Sequence, residues 1–424
     1  MSGFQFIETK KVAASDVGTL TMEDLRDPTS NLPLDWTRIG QECEDEKDAV
    51  RLPIDVVEED AFDPTDDHLA IIGTSGKKVT KIGGLGAPLK FKIICLRSHL
   101  IEKMEGLEGH SETLEELELY DNQVGALEQL EHMPKLTNLD ISFNAIRNMA
   151  SVSNCKLLTT LYIANNKLTS IEGLEELTQL KTLDVGANRL RSMKGIGGLV
   201  NLEHLWMGKN KITEISDLQN LKKLRRLDIQ SNRLTKVENL ENQIDCLEEL
   251  YLASNGIDDE GLAPETGVLL NFQKLNVLDF SKNQIAKLSH FSHLTSLDEL
   301  WIAENDVSFF SEVEALTPNN LDCVYLEHNP IAKDHDYRKK LKNLLPSLTQ
   351  IDANAVGQEG RGMVGGGFSN NGSVAGYGMA AMTDEQRVKV MRILQQQALQ
   401  KAKVEAEKNS TKPAATTMGP APPP

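Results

Sequence analysis

The chain has 424 residues and a formal net charge of −18. That balance argues against a groove for nucleic-acid phosphates and favours a basic or mixed protein partner. Five scattered cysteines (Cys43, Cys95, Cys155, Cys246 and Cys323) without a C-x-x-C, no apolar run of membrane-spanning length, and a start lacking the basic and apolar pattern of a signal peptide predict an intracellular protein in a reducing compartment.

Residues 1–67 are acidic and aperiodic, with a run from Glu42 to Asp48 and prolines at 28, 33, 53 and 64. This composition predicts a mostly disordered segment, in which the isolated Trp36 is an aromatic suited to docking on the rest of the chain or on a partner. From His68 to Gly106 the chain reads as degenerate early repeats. Ile94-Cys95-Leu96 has a strand pattern, His99 stands where an Asn is expected, and Ile71-Ile72 with Val79 to Ile82 suggests a capping repeat. Gly73 to Lys78 lacks the G-x-x-x-x-G-K-[ST] spacing of a phosphate loop, which excludes nucleotide binding by that motif.

From Leu114 the frame L-x-x-L-x-L-x-x-N recurs, ending at Asn122, Asn144, Asn166, Asn188, Asn210 and Asn232, each 22 residues after the last. It continues, less regularly, to Asn255, Asn283, Asn305 and Asn329. A repeat of this length and pattern predicts an α/β fold, a right-handed leucine-rich repeat solenoid over 68–330. Alternation places Leu139 and Ile141 in the core and Asp140 outside. The Asn amide is expected to satisfy backbone groups left unpaired at the bend. Beyond it, Leu168, Ile171, Leu174, Leu177 and Leu180 recur every third residue, a spacing suited to 3₁₀ turns on the convex side opposite a concave parallel sheet.

Extra residues around Asp258 to Val268 predict a bulge on the convex side or rim that leaves the strands in line. Residues 331–355 read as a C-terminal cap. In it Asp334 or Asp336 caps a helix ending before Pro346, and Tyr337, Leu341, Leu344 and Leu345 cover the open core. His335 between two aspartates reads as an exposed helix start, not a metal site. Residues 356–424 form a Gly- and Pro-rich tail in which Thr383 to Gln386 is a capping box for a thinly amphipathic helix over 384–408.

The central outward position of successive strands runs Glu118, Asp140, Tyr162, Asp184, Trp206, Asp228, Tyr251, Asp279, Trp301, Tyr325, with Tyr120, Glu249, Glu299 and Glu327 in neighbouring columns. Two of the three Trp and three of the six Tyr fall in this one column. A solenoid core does not require that, so the column is expected to be a binding surface. The bland alternative is that these side chains only solvate the sheet and stack on one another. No nucleophile with a base, no metal-ligand cluster and no deep pocket is implied, so no enzyme, metal or cofactor is expected.

The repeat segments 119–124, 139–144, 208–213 and 230–236, with the ending Val324 to Pro330, Asp336-Tyr337-Arg338 and Leu345 to Ala353, resemble the leucine-rich repeat regulatory subunit 7 family of protein phosphatase 1. The resemblance covers roughly 68–353. It implies a non-catalytic subunit that binds the phosphatase catalytic subunit on the concave face, alongside a further inhibitor protein, in nucleus and cytoplasm, with no nucleic acid or membrane partner. By repeat, it implies contacts from Asp140, Tyr162, Asp184, Trp206, Glu299, Trp301 and Tyr325; the outward column adds Tyr251. Tyr162 and Trp206 replace the more usual Phe, and the insert and long tail depart from the family. The other reading is a structural scaffold of the axonemal or spliceosomal type, since the same repeat subtype serves there.

Overall fold

The computed structural model describes residues 67–73, 78–82, 90–262 and 272–356. The expectations for Trp36, the acidic run, the tail and its helix lie outside the described residues.

Among the described residues fourteen strands form one sheet in strict chain order. They are β1 (His68–Ile72), β2 (Ile93–Arg97), β3 (Glu116–Glu118), β4 (Asn138–Asp140), β5 (Thr160–Tyr162), β6 (Thr182–Asp184), β7 (His204–Trp206), β8 (Arg226–Asp228), β9 (Glu249–Tyr251), β10 (Val277–Asp279), β11 (Glu299–Trp301), β12 (Cys323–Tyr325), β13 (Gln350–Ile351) and β14 (Asn354–Ala355). All neighbours pair in parallel except β13 and β14, which are antiparallel. Most strands are three residues long, with one buried apolar residue between two that face outward. Leu139, Leu161, Leu183 and Leu205 stand in register and are buried, so each repeat completes its core against the next.

The frame Asn holds the bend by hydrogen bonds. Asn188 Nδ2 donates to the carbonyls of Ile163 at 3.0 Å, Val185 at 3.0 Å and Gly186 at 3.1 Å, and its Oδ1 accepts the Leu168 N–H at 3.0 Å. One amide thus joins two repeats, and the pattern recurs along the stack. The residue before the Asn takes a left-handed conformation, as at Ala187 with φ of 52°. The spacing of three on the far side is realised as i to i−3 bonds, Leu177 N–H to Leu174 O at 2.9 Å and Leu180 N–H to Leu177 O at 3.0 Å.

His99 takes over the role of the missing Asn in the early repeat. Its buried ring accepts the Val79 N–H at Nδ1, 3.2 Å, and places Nε2 3.1 Å from Ile71 O. Burial lowers its pKa, so the neutral ring that can both accept and donate is favoured.

Around the insert, β9 and β10 stay in register, Glu249 opposite Val277 and Tyr251 opposite Asp279. Asp258 bridges to Gln284, and Asp259 accepts the N–H groups of Ala286 and Lys287. Residues 263–271 lie outside the described residues.

Among the described residues two α-helices follow: α1 (Phe310–Glu314) and α2 (Tyr337–Leu344). Leu341, Leu345 and Tyr337 close the core, and Tyr337 donates its hydroxyl to Asp352 at 3.2 Å. The capping expectation is corrected. Asp336 occupies the cap position but makes no side-chain cap bond, because its φ of −97° and ψ of 16° depart from the extended cap conformation. Asp334 instead accepts the Asp336 N–H at 2.8 Å and pairs with Lys340 at 2.6 Å. His335 is almost fully exposed.

Candidate functional site

The register sets the outward column in one line: Glu118 beside Asp140, Asp140 beside Tyr162, Tyr162 beside Asp184, Asp184 beside Trp206, Trp206 beside Asp228, Asp228 beside Tyr251, Tyr251 beside Asp279, Asp279 beside Trp301, and Trp301 beside Tyr325. Parallel strands about 4.8 Å apart put aromatics every second step within reach of one another across the intervening carboxylates. Tyr162, Trp206, Tyr251, Trp301 and Tyr325 are all half-buried.

The aspartates of the column do a local job. Asp140 accepts the Ser142 N–H at 3.0 Å, Asp184 that of Gly186 at 2.8 Å, Asp228 that of Gln230 at 3.0 Å and Asp279 that of Ser281 at 2.8 Å. Each carboxylate holds the backbone just past its own strand, the short-range bond that suits Asp to a bend. Asp228 and Asp279 are buried, and Asp140 and Asp184 are half-buried between larger neighbours. Burial pushes the Asp184 carboxyl up to about 7, with Asp228 and Asp140 adding like-charge repulsion. Burial likewise pushes Asp140 and Asp228 up to about 6. The guanidinium of Arg97, 3.4 Å from Asp140, opposes the shift there, and that of Arg226 opposes it at Asp228.

The aromatic residues gather into a network toward the C-terminal repeats. Tyr251 and Trp301 meet edge to face at 6.1 Å, and Trp301 and Tyr325 at 5.5 Å. Glu249 accepts the Tyr251 hydroxyl at 2.8 Å, Glu299 accepts Trp301 Nε1 at 3.0 Å, and Gln350 donates to Tyr325 Oη at 2.7 Å. His204 stacks on Trp206 at 5.8 Å. Tyr251, Glu299, Trp301 and Tyr325 are therefore one cluster. Trp206 is linked to it through Arg226, and Asp140 belongs with Arg97 and Glu118 at the other end of the sheet.

Two residues that sequence reasoning missed shape the face. Arg226 lies over both Trp206 and Tyr251, with guanidinium-to-centroid distances of 5.5 and 4.6 Å, and pairs with Glu249 at 2.9 Å. Arg97 pairs with Glu118 at 2.9 Å and lies over Tyr120 at 5.3 Å. Both stand in the columns flanking the central one, and reading those columns for cations as well as acids would have found them. Among the described residues no group of three or more His, Cys, Asp or Glu could hold a metal ion. A shallow depression on the rim preceding the strands, lined by Glu203, Lys223, Arg225, Cys246, Glu248 and Lys274, holds a thiol whose pKa burial raises, not an activated nucleophile.

The parallel stack and its Asn ladder match known repeats. Models described as leucine-rich repeats match residues 156–198, 200–242 and 245–264. A leucine-rich repeat protein of Leptospira interrogans superposes with a TM-score of 0.51 at 26% identity, covering 65% of this chain and 66% of that one.

This chain is a leucine-rich repeat solenoid.

The solenoid is 42% identical over 73 residues to a Dictyostelium discoideum protein named protein phosphatase 1 regulatory subunit pprA. It is 40% identical, also over 73 residues, to the Schizosaccharomyces pombe protein phosphatase 1 regulatory subunit SDS22. These matches cover 17% and 16% of this chain and 22% of each relative, so the shared stretch is about a fifth of the relatives' length. Among the described residues no helix is long and apolar enough to cross a membrane.

Proposed function

We propose that this solenoid is a non-catalytic regulatory subunit that holds the catalytic subunit of protein phosphatase 1 on the outward face of its sheet. The observation that carries this reading is the half-buried cluster of Tyr251, Trp301 and Tyr325, with Glu299 turned onto Trp301 and free of any ion pair among the described residues. Rigid aromatic area beside an acid not neutralised by an internal cation suits a partner that presents Arg or Lys with apolar neighbours. Partial relatives named as protein phosphatase 1 regulatory subunits support this choice of partner. A further inhibitor protein in the complex, and residence in nucleus and cytoplasm, belong to the same proposal.

The test is binding of the full chain to purified phosphatase catalytic subunit, both metal-loaded and metal-stripped. Trp301→Ala and Trp206→Ala are each expected to weaken binding by about 2–4 kcal/mol, the usual effect of removing a buried aromatic anchor. Folded variants that bind as tightly as the parent would exclude the sheet face. No binding by the parent in either metal state would favour a scaffold joining other proteins.

A further inference from the structure

A second surface lies on the rim just beyond the Asn turns. Lys167, Arg189, Lys211 and Arg233 each follow the frame Asn directly, in four successive repeats. Their backbones are stacked by identical bonds: Lys167 N–H to Ile146 O, Arg189 N–H to Leu168 O, Lys211 N–H to Leu190 O and Arg233 N–H to Ile212 O, each 2.8 Å. The residue after each, Leu168, Leu190, Ile212 and Leu234, is buried in the core, so the cations are directed outward. Arg189 and Arg233 are exposed, and Lys167 and Lys211 half-buried. Arg191 and Lys209 flank the line and are exposed too.

Four cations at a repeat distance of about 5 Å repel one another, as like charges do on adjacent strands. Among the described residues, none of the four side chains makes a hydrogen bond, an ion pair or a ring contact. Nor does the fold need them. The same position holds Gln123 and Ala145 before the line and Gly256, Gln284 and Asp306 after it, with the same backbone bond at Ala145, Gly256, Gln284 and Asp306. The cations thus form a bounded ladder, concentrated in the four repeats of β5 to β8 in a chain whose net charge is −18.

We propose that this ladder is a docking surface for an extended acidic segment of a partner polypeptide, separate from the sheet face. Carboxylates along an extended strand project to one side about every 6.6 Å, a spacing that long Lys and Arg stems can follow. Arg adds two-point hydrogen bonds to carboxylates. A single-stranded nucleic acid fits less well. In these four repeats the positions beside the ladder are Asn165, Ala187, Lys209 and Ser231 on one side and Thr169, Arg191, Thr213 and Thr235 on the other, with no aromatic platform for bases.

The test is fluorescence anisotropy of a labelled twelve-residue polyglutamate peptide with the full chain at low and moderate salt, beside a labelled oligouridylate of equal length. The peptide is expected to bind and to weaken at least tenfold in Arg189→Glu/Lys211→Glu. Arg189→Gln/Lys211→Gln guards against a folding defect and is expected to weaken binding at least threefold, with an unchanged thermal unfolding curve. The sheet face is untouched in both, so phosphatase binding is expected to persist. Absence of peptide binding, equal binding by the variants, or preference for the oligouridylate would overturn the proposal. Binding that emerges only when Glu42, Glu44 and Glu46 are changed to Gln would assign the ladder to the chain's own acidic segment, and overturn a partner in trans.

Discussion

The guanidinium of Arg226 lies 4.6 Å from the ring centroid of Tyr251 and 2.9 Å from the carboxylate of Glu249 that Tyr251 itself donates to. An internal cation thus already occupies one acid-and-aromatic niche on the outward face. The next niche along, Glu299 with Trp301, has no such occupant among the described residues.

If the face receives a basic partner, Arg226 both fills a niche and repels the approaching charge. Arg226→Ala is expected to cost about 0.5–1 kcal/mol of stability through the lost ring contact. It is also expected to tighten phosphatase binding roughly threefold at low salt, mainly through faster association. Stopped-flow association rates at two salt concentrations read this directly. Weaker binding by a folded variant would show that Arg226 contacts the partner and that this part of the face is not a receptor for cations.

The pH dependence of folding has a sign set by Asp184. Its folded pKa, near 7, lies above the ordinary carboxylate value of 3.8, so the folded state holds a proton that the unfolded state has released. Stability from this group is complete below about pH 4 and is lost as pH rises toward 7. Asp184→Asn keeps an oxygen for the Gly186 N–H and removes the charge. It is expected to gain on the order of 1–2 kcal/mol over the parent at pH 7.5 and little at about pH 3.5. Denaturant midpoints at the two pH values check this; an equal difference at both would refute it.

Removal of a frame Asn exposes how much one amide carries. Asn188→Ala removes one donor from the Ile163 and Val185 carbonyls, which keep bonds from Asn166 and Asn210, and takes the side-chain partner from the Gly186 carbonyl and the Leu168 N–H in a buried bend. The expected cost is about 3 kcal/mol or more, by loss of several bonds to buried groups. Hydrogen exchange should localise the loss to the repeats on either side, as nearest-neighbour stacking requires. A change spread evenly over the sheet would contradict that picture.

Adjacent positions in one turn respond oppositely to Cβ. Ala187→Gly relieves a left-handed conformation at φ of 52° and is expected to be neutral to stabilising by up to about 1 kcal/mol. Gly186→Ala places a Cβ 3.0 Å from Asp184 Oδ1 and 3.4 Å from the Gly208 carbonyl, crowding the bond that orients the carboxylate. It is expected to destabilise by about 1–2 kcal/mol. Thermal unfolding of the pair decides, and the same sign for both would be the failing result.

The outward column was readable because every repeat contributes one residue at a fixed offset from its Asn, so Tyr162, Trp206, Tyr251, Trp301 and Tyr325 could be aligned by counting. What counting missed was orientation. Asp140 and Asp184 had the same apparent standing as Glu299, yet they turn back on the chain while Glu299 reaches across to Trp301. A side chain two bonds long finds a backbone N–H two residues on; a longer one reaches past it. Asp336 was likewise a plausible cap by spacing and fails by its backbone angles.

Sequence by itself determined the repeat, the core and the identity of each outward column. A period of 22 residues leaves one strand and one bend per turn, and only the Leu positions can be buried by stacking. Tertiary structure alone decided which charges are neutralised. Arg226 and Arg97 acquire partners from adjacent strands, while Lys167, Arg189, Lys211 and Arg233 acquire none among the described residues. Pairing depends on side chains from neighbouring repeats meeting within a few ångströms, and no one repeat carries that information.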